Sequence, residues 1–597
     1  MVRDGNPGGE TSRPRAGAPP VWEEIDGSER TTAILTALSL LNPHGILHRG
    51  ERRVRVALER VDEGGLWGFR LADSEACWGE PPYEISLMGY DSVYHLRIDT
   101  RAVERAWLVT EAPGRLVRTR QRTYRRAQAP RGLRARFQST RVEGPALGEA
   151  EVVDVSHGGL SLRVEATERL FTGMSLALTV RLEQGHSVAL EGEVRHVSAG
   201  REDGRRLCGV KVQMRSAAEG ARWREVVGRA LVPTTRTRES HLESLWDLYA
   251  ISGYLNLANK TSAQFEAQRQ SFLALGRRTA TMDHLSSHTV WPSARGLEAS
   301  VSTLKIYERA WLMHQLGRRP GTPSEVRLLQ GQILRDTYRR ALEDIQADPG
   351  QRWVLCYGEA TVPWVQRTHV QFAQRNASRH EGEVLMMPVR LMEAQCDEPS
   401  GSPGEGLTLL PASRHELDRI AQEIARVRPR PFVEALDFMP ERLDMKGTSA
   451  LWHSAGLTRE RQCFVARREG VPLAALVVEL ASPGANLFRL LDSARLFSLM
   501  PGGREAFVPL LDEARRWFAR RGRSTFVYLC EDDGSSVRAA RLHDAPSTQP
   551  FLWIIASSIL PEFLEHIDEQ SVGRPRSPIP SPPLHHVIDT QPEEQIR

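Results

Sequence analysis

Cysteine is scarce and scattered in this chain of 597 residues, with six in all: Cys77, Cys208, Cys356, Cys396, Cys463 and Cys530. No two form a C-x-x-C pair, and none has a histidine at ligand spacing. That argues against a disulfide framework or a metal site and fits a reducing compartment. Long apolar runs are lacking too. The best, FLWIIASSIL (Phe551–Leu560), is half of the roughly 20 residues that a spanning helix needs and reads as a buried strand. The N-terminal stretch MVRDGNPGGETSRPRAGAPP has no apolar centre, so it does not read as a signal peptide. These absences predict a cytoplasmic protein without membrane insertion. The net charge of +4 is too small over this length to argue for any partner. One local absence says more: from Arg115 to Arg141 there are ten arginines and no Asp or Glu.

What is present is ordinary for globular protein, 40% hydrophobic and 26% charged. The length suggests about three to five domains. Residues 1–27 are rich in Gly, Pro and Arg, and 569–597 are rich in Pro; both are expected to be disordered tails. Residues 28–116 hold a short helix-like segment and then RRVRVALERV, GLWGFRLA, YEISLMGY and SVYHLRID, a spacing that suggests a small β-barrel. Residues 117–232 continue with six more short alternating runs and close on a helix, AAEGARWREVVGRAL. After residue 235 the texture becomes mixed α/β. Two units are expected, 235–396 and 413–568, joined by a linker over 397–412 that contains DEPSGSPGEG. Ser413 and Glu416 have capping-box spacing and should open a helix. VSTLKIYERAWL reads as a strand leading into a loop, and RQCFVARREGVPLAALVVEL as a hairpin around Glu469-Gly470. The order of elements in the two units, and the echo of SLWDLYAISGYL in SALWHSAGL, suggest a structural duplication. The predicted fold is thus multidomain: two N-terminal antiparallel β-barrels followed by mixed α/β.

Two patterns carry chemistry. RTRQRTYRR (Arg118–Arg126) contains Arg-x-x-x-Arg, and DVSHGGLSLRV (Asp154–Val164) contains Asp-x-Ser-x-x-Gly, with Asp154, Ser156 and Gly159. Arginine clamps phosphates bidentately and stacks on base faces. Asp154 can accept from the N–H edge of a guanine, and Ser156 can fix the turn or reach a phosphate. Gly159 is expected at positive φ, where backbone could approach a ligand. Together these groups call for a ligand with both phosphates and guanines. Each alone has a blander reading: Asp-x-Ser before Gly-Gly is a common turn signal, and an arginine run is often a solvated face.

In this order and spacing, before a run of short strands, the pair resembles the PilZ family, β-barrel receptors for cyclic di-GMP. The resemblance covers about 117–232. It implies cyclic di-GMP as ligand, held by Arg122, Arg126, Asp154, Ser156 and Gly159. Arg118 with Arg122 also satisfies the spacing, and Arg125 is a substitute, so the register stays open. The preceding 28–116 looks like the N-terminal domain of flagellar-brake proteins, which implies ligand-driven reorientation at the linker and a role in motility or cell-surface regulation.

The order hairpin, strand, loop, helix, strand after residue 430 resembles the GNAT acyltransferase fold, and 235–396 looks like a more divergent copy. The resemblance implies a loop whose amides cradle the pyrophosphate of an acyl-CoA such as acetyl-CoA, at a helix N-terminus. The weak candidates are Gln315 and Gly317 in HQLGRRPG, and Gly502 and Gly503 in FSLMPGGREA. Tyr307, Glu308, His314 and Tyr528 are available for acid–base work, but no residue stands out as catalytic. Three readings remain: a cyclic di-GMP effector with a GNAT-like output that binds a protein partner, an N-acyltransferase under cyclic di-GMP control, and a nucleic-acid-binding protein that uses the arginine segment. The last is the least favoured, because the segment has no recognition helix and only Tyr124 interleaved before Phe137.

Overall fold

The computed structural model describes residues 21–571 apart from 42, 50–51, 61–65, 72–77, 79, 89–91, 100–101, 105–106, 112, 121–123, 141–147, 183–186, 199–203, 238–240, 256–261, 281, 322–329, 349, 399–405, 532–533 and 545–548. The first sheet is built from β1 (Val21–Asp26), β2 (His44–Arg49), β3 (Arg52–Arg60), β4 (Leu66–Leu71), β5 (Tyr83–Met88), β6 (Ser92–Ile98), β7 (Ala102–Glu104), β8 (Trp107–Glu111) and β9 (Arg115–Arg120), with helix α1 (Ser28–Leu41) packed on it. Its order is β1-β9-β6-β5-β2-β3-β4-β8-β7. Leu35 and Leu38 of α1 meet Leu47, Trp67, Phe69 and Leu116 in the core. Two expected boundaries move. Val21–Asp26, counted with the leading tail, is a strand in register with Arg115–Arg120, with Ile25 buried. The division at 116 falls inside β9. In both places a composition-based boundary overlooked backbone pairing.

The second sheet holds β10 (Ala127–Gln128), β11 (Arg134–Ser139), β12 (Gly148–Ser156), β13 (Gly159–Glu165), β14 (Ser175–Arg181), β15 (Ser187–Val197) and β16 (Arg205–Met214). Six of these strands close on themselves, because β12 pairs with both β11 and β13 at the ends of the series β11-β14-β15-β16-β13. Alternate side chains point inward, and Trp223 of α2 (Ala217–Leu231) joins their core, fully buried. A closed barrel is therefore present once. In the first sheet the end strands β1 and β7 do not pair with each other among the described residues.

The C-terminal half begins with α3 (Leu242–Ile251), α4 (Ser262–Thr279), β17 (Ser286–Ser293), β18 (Gly296–Tyr307), β19 (Ala310–Arg318), α5 (Gln330–Gln346) and β20 (Trp353–Glu359). Helical turns over 363–376 lead to β21 (Val384–Pro388) and β22 (Arg390–Gln395). Next come β23 (Leu407–Pro411), α6 (Arg414–Val427), α7 (Arg430–Ala435), α8 (Lys446–Ser454), β24 (Arg459–Arg468), β25 (Val471–Ala481), β26 (Ser493–Ser498), α9 (Phe507–Ala519), β27 (Thr525–Cys530), β28 (His543–Asp544), β29 (Pro550–Ala556) and α10 (Leu560–Ser571). Several local expectations are met. Ser413 and Glu416 form the capping box. Glu469 and Gly470 both adopt positive φ, as a two-residue hairpin turn needs. VSTLKIYERAWL differs: Glu308 and Arg309 turn it into the β18–β19 hairpin rather than a strand leading to a loop. The expected 397–412 linker contains β23. No helix among the described residues is long and apolar enough to cross a membrane.

The two α/β sheets exchange strands. The third sheet runs β17-β18-β19-β20-β29-β21, and the fourth β23-β24-β25-β26-β27-β22-β28. β29, from the chain's last unit, lies between β20 and β21; β22, from the preceding unit, lies between β27 and β28. In each sheet a parallel pair, β19 with β20 or β26 with β27, sits beside the join. The expected division into 235–396 and 413–568 is thus crossed by one strand in each direction. A charge cluster also ties the units: Glu479 of β25 accepts from Tyr307 of β18 at 3.0 Å and from Arg461 at 2.6 Å, and pairs with Arg459. Burial pushes the Glu479 carboxyl up, but Arg461, Arg459 and Arg495 outweigh that and hold it down at about 2.

This exchange has a direct consequence for fragments. Residues 235–396 alone would leave β21 with no neighbour and the apolar face of β20 uncovered. That fragment should aggregate or lack dispersed amide signals in a two-dimensional NMR spectrum, whereas 235–571 should fold. A folded 235–396 monomer would show that the exchange is not needed.

Candidate ligand site on the barrel

β12 carries Asp154 and Ser156 into a two-residue turn, His157-Gly158, and Gly159 opens β13. A register shift between Val152 and Asp154 marks a bulge just before the turn. The Ser156 hydroxyl is buried and donates to the Gly159 carbonyl at 3.1 Å, while the Ser156 carbonyl accepts from Trp223 Nε1 at 3.1 Å. Of the two roles open to it, Ser156 takes that of fixing the turn. Gly159 does not have positive φ. A Cβ there would come within 2.6 Å of the Val210 carbonyl oxygen, so glycine serves the close approach of β13 to β16 rather than to a ligand.

The arginine segment meets this turn at Arg126. Its Nη1 lies 3.3 Å from Asp154 Oδ1 and 3.0 Å from Ser161 Oγ, with both charged side chains about a third exposed. The second arginine of the motif and its acid are therefore together at the surface. Arg122 lies outside the described residues. Arg125 is half-buried. Arg118 is placed elsewhere: it is buried on β9, paired with Glu565 and 3.5 Å from Glu562, both on α10. In this state it is committed to the C-terminal half and not to a ligand.

Three further residues shape the site; sequence reasoning noted Tyr124 only as the aromatic within the arginine segment and gave His157 and Glu343 no role. The Tyr124 ring covers Gly158, where a Cβ would approach it to 2.8 Å, and its edge meets the His157 ring. His157 is buried, with Nε2 3.4 Å from Oε2 of Glu343 on α5. Burial, reinforced by Arg340 and Arg224, pushes the imidazole down to about 3. Burial and the neighbouring Asp344 push the Glu343 carboxyl well up. Burial thus disfavours the charged form of both partners in this contact. A histidine inside the signature turn was the available signal, but its partner is 186 positions away in the chain.

The C-terminal candidates do not assemble a site. Gln315 and Gly317 lie within β19, not in a loop before a helix. Gln315 is buried at φ 56°, its Oε1 3.4 Å from the Tyr249 hydroxyl, and Gly317 packs under the Tyr249 ring. The segment after β19, over 322–329, lies outside the described residues. Gly502 has positive φ, and at Gly503 a Cβ would overlap the Leu473 carbonyl. The Gly503 and Glu505 amides donate to Met500 and Gly502 carbonyls, so those amides are turned inward to the loop and not outward as a cradle. Tyr307 belongs to the Glu479 cluster and Tyr528 to an apolar core on the other face of the C-terminal sheet. His314 lies 3.5 Å from Asn486, and burial holds it at about 3. Glu308 lines a cleft of about 610 Å³ with Arg414, Asp437 and Arg442.

Residues 119–227 match the PilZ domain family. Among solved structures, the chain is similar to the K. pneumonia MrkH–c-di-GMP complex, with 12% identity over 34% of this chain and 93% of that one, TM-score 0.28. It is similar to YcgR from Escherichia coli in complex with c-di-GMP, with 14% identity over 34% and 88%, TM-score 0.26. It is also similar to a tandem GNAT protein from the clavulanic acid biosynthesis pathway, with 10% identity over 54% and 98%, TM-score 0.31. No curated protein matches the chain.

The upward shift at Glu343 can be tested through stability. Its folded pKa is raised, so its contribution is fully present below the unfolded value of about 4.3 and is lost as pH rises through the folded value. Glu343→Gln removes this titration while keeping the shape. The Tm of the variant minus that of the wild type should grow from about pH 5 to about pH 8. A difference constant over that range would mean that Glu343 is ionised in the fold.

Proposed function

We propose that the chain is a cyclic di-GMP receptor whose PilZ barrel controls a GNAT-like output. The observation that carries this reading is the meeting of Arg126 with Asp154 at the barrel surface, inside the residues that match the PilZ family. A partly exposed arginine beside a partly exposed carboxylate offers a phosphate donor and a guanine acceptor in one place. Each pairs with the other until a ligand replaces it. Arg122, Arg125 and the Ser156-fixed turn complete the proposed site, and the first sheet with its α1 helix plays the part of the flagellar-brake-like domain. The readout would be motility or cell-surface regulation.

For the C-terminal half we favour a binding output over a transferase. The inward-turned amides around Gly503 and the location of Gln315 and Gly317 within a strand both favour it. The matching strand orders and the reciprocal exchange support an ancestral duplication of one unit. The nucleic-acid reading loses ground because the segment's arginines have acidic partners within the chain. Arg115 pairs with Glu24, Arg118 with Glu565, and Arg134 and Arg136 with Glu149.

Calorimetric titration of cyclic di-GMP into the full chain tests the sensor. Wild type should bind at micromolar or tighter affinity, and Arg126→Ala and Asp154→Ala should each lose about 1.5–3 kcal/mol, roughly ten- to a hundredfold. No binding by the wild type overturns the reading. Acetyl-CoA titrated to about millimolar into residues 235–571 separates the outputs: no heat of binding is expected, and saturable binding would restore the acyltransferase alternative.

A further inference from the structure

The segment from Arg118 to Arg126 is held at one end by the C-terminal half and at the other by a barrel turn that itself touches the C-terminal half. At one end, Arg118 is buried against Glu562 and Glu565 of α10, and the carboxylate of Glu565 also receives a hydrogen bond from the buried Tyr94 on β6. At the other end, Tyr124 lies over the His157-Gly158 turn, and His157 faces Glu343 of α5. The two helices are themselves joined, since Arg339 of α5 donates to Asp568 of α10 at 3.1 Å. Arg340 of α5 reaches back to Glu225 of α2, at the base of the barrel, at 2.7 Å. The contacts thus form a ring: arginine segment, α10, α5, signature turn, arginine segment.

Within this ring, Glu565 makes the bond to Arg118 that a phosphate would make, and Glu562, itself joined to His380 at 2.9 Å, adds a second carboxylate 3.5 Å away. A carboxylate and a phosphate oxygen are equivalent partners for a guanidinium fork. Arg118 precedes Arg122 by four positions, so it has the same spacing to that arginine as Arg122 has to Arg126. We propose that Glu562 and Glu565 are a built-in counter-anion for the arginine segment, so that docking of α10 and binding of cyclic di-GMP oppose one another. This regulation rests on the receptor reading above. Its sign follows from charge. A dianionic dinucleotide at Arg126 and Asp154 brings its phosphates toward a helix that already carries Glu562, Glu565 and Asp568. The same ligand offers Arg118 an alternative partner. Either effect favours release of α10, and reciprocity requires that a docked α10 weaken the ligand.

The experiment titrates cyclic di-GMP into the full-length chain as wild type, as Glu562→Gln/Glu565→Gln and as Arg126→Ala. The double variant keeps the shape and one acceptor oxygen at each position but removes the charge. It should bind about 5- to 150-fold more tightly than the wild type, the usual span of a coupling between two sites. Hydrogen exchange on the wild type provides a second reading that does not depend on the variant folding: amides of 560–571 should exchange faster once ligand is added. If the wild type binds and Arg126→Ala does not, but the double variant is unchanged or weaker and 560–571 are unchanged or slower, the counter-anion idea is wrong and the receptor stands. If neither wild type nor double variant binds, both fall. Binding by the double variant alone would mean that α10 closes the site in the resting protein.

Discussion

The position of β29 is the constraint on which the relation between the two halves depends. It inserts between β20 and β21, in the sheet that neighbours the barrel, and not in the sheet of its own unit. α10 starts at Leu560, four residues after β29 ends at Ala556. Four residues reach at most about 14 Å, so the helix must lie at that sheet. There it packs along α5 through Arg339–Asp568 and presents Glu562 and Glu565 to β9. Had β29 stayed with β27, those carboxylates would have been delivered elsewhere. The strand exchange therefore does more than unite two α/β units. It puts the end of the described chain against the arginine segment at the barrel.

The charges at this junction fall into two classes by burial. Arg126 and Asp154 are about a third exposed, and an exposed pair of this kind contributes about 0–1 kcal/mol. A ligand can take both partners at little cost. Arg118 with Glu565, Arg339 with Asp568, and Arg340 with Glu225 have mostly buried side chains. Such pairs add little net stability over apolar packing, yet losing one partner costs about 3–5 kcal/mol. The weakly held pair lies where a ligand would enter, and the strongly specified pairs lie where the domains meet. At the Glu343–His157 contact burial instead works against the charged form of both groups.

Local pattern carried much of the fold. The closed barrel follows from alternating runs such as SLALTVR, and the Glu469-Gly470 turn from two residues that tolerate positive φ. The candidate site was legible where its parts are local or their spacing is fixed: Asp154, Ser156 and Arg126. Pairing was not legible. Short strands such as β22 and β29 fit either sheet equally well by pattern, because periodicity reveals a strand but not its neighbours. Arg118 shows the same limit for a side chain. It satisfies the motif spacing, yet its partner Glu565 is 447 positions away. Gly159 was read as a glycine for backbone freedom, whereas the requirement is space beside Val210. Gln315 and Gly317 resembled a loop because the sequence does not show that β19 runs to Arg318.

The signature turn thereby has a second meaning in this chain. Ser156 and Gly159 make it tight, and Trp223 of α2 fastens its carbonyl from below. Its two apex residues then face in different directions: His157 reaches α5, and Gly158 leaves room for Tyr124. A rigid turn with one side on the arginine segment and the other on the C-terminal half cannot have either contact changed in isolation. From Arg118 to Arg126 is eight residues, at most about 29 Å when extended; Arg118 is fixed to α10, while Tyr124 and Arg126 are fixed to the barrel turn whose His157 faces α5. Anything that reorders the middle of that segment must stretch it, shift Tyr124 on the turn, or free Arg118 from α10. Of the three, the last changes the charge balance of a buried site, and so it is the one that a polyanionic ligand can drive.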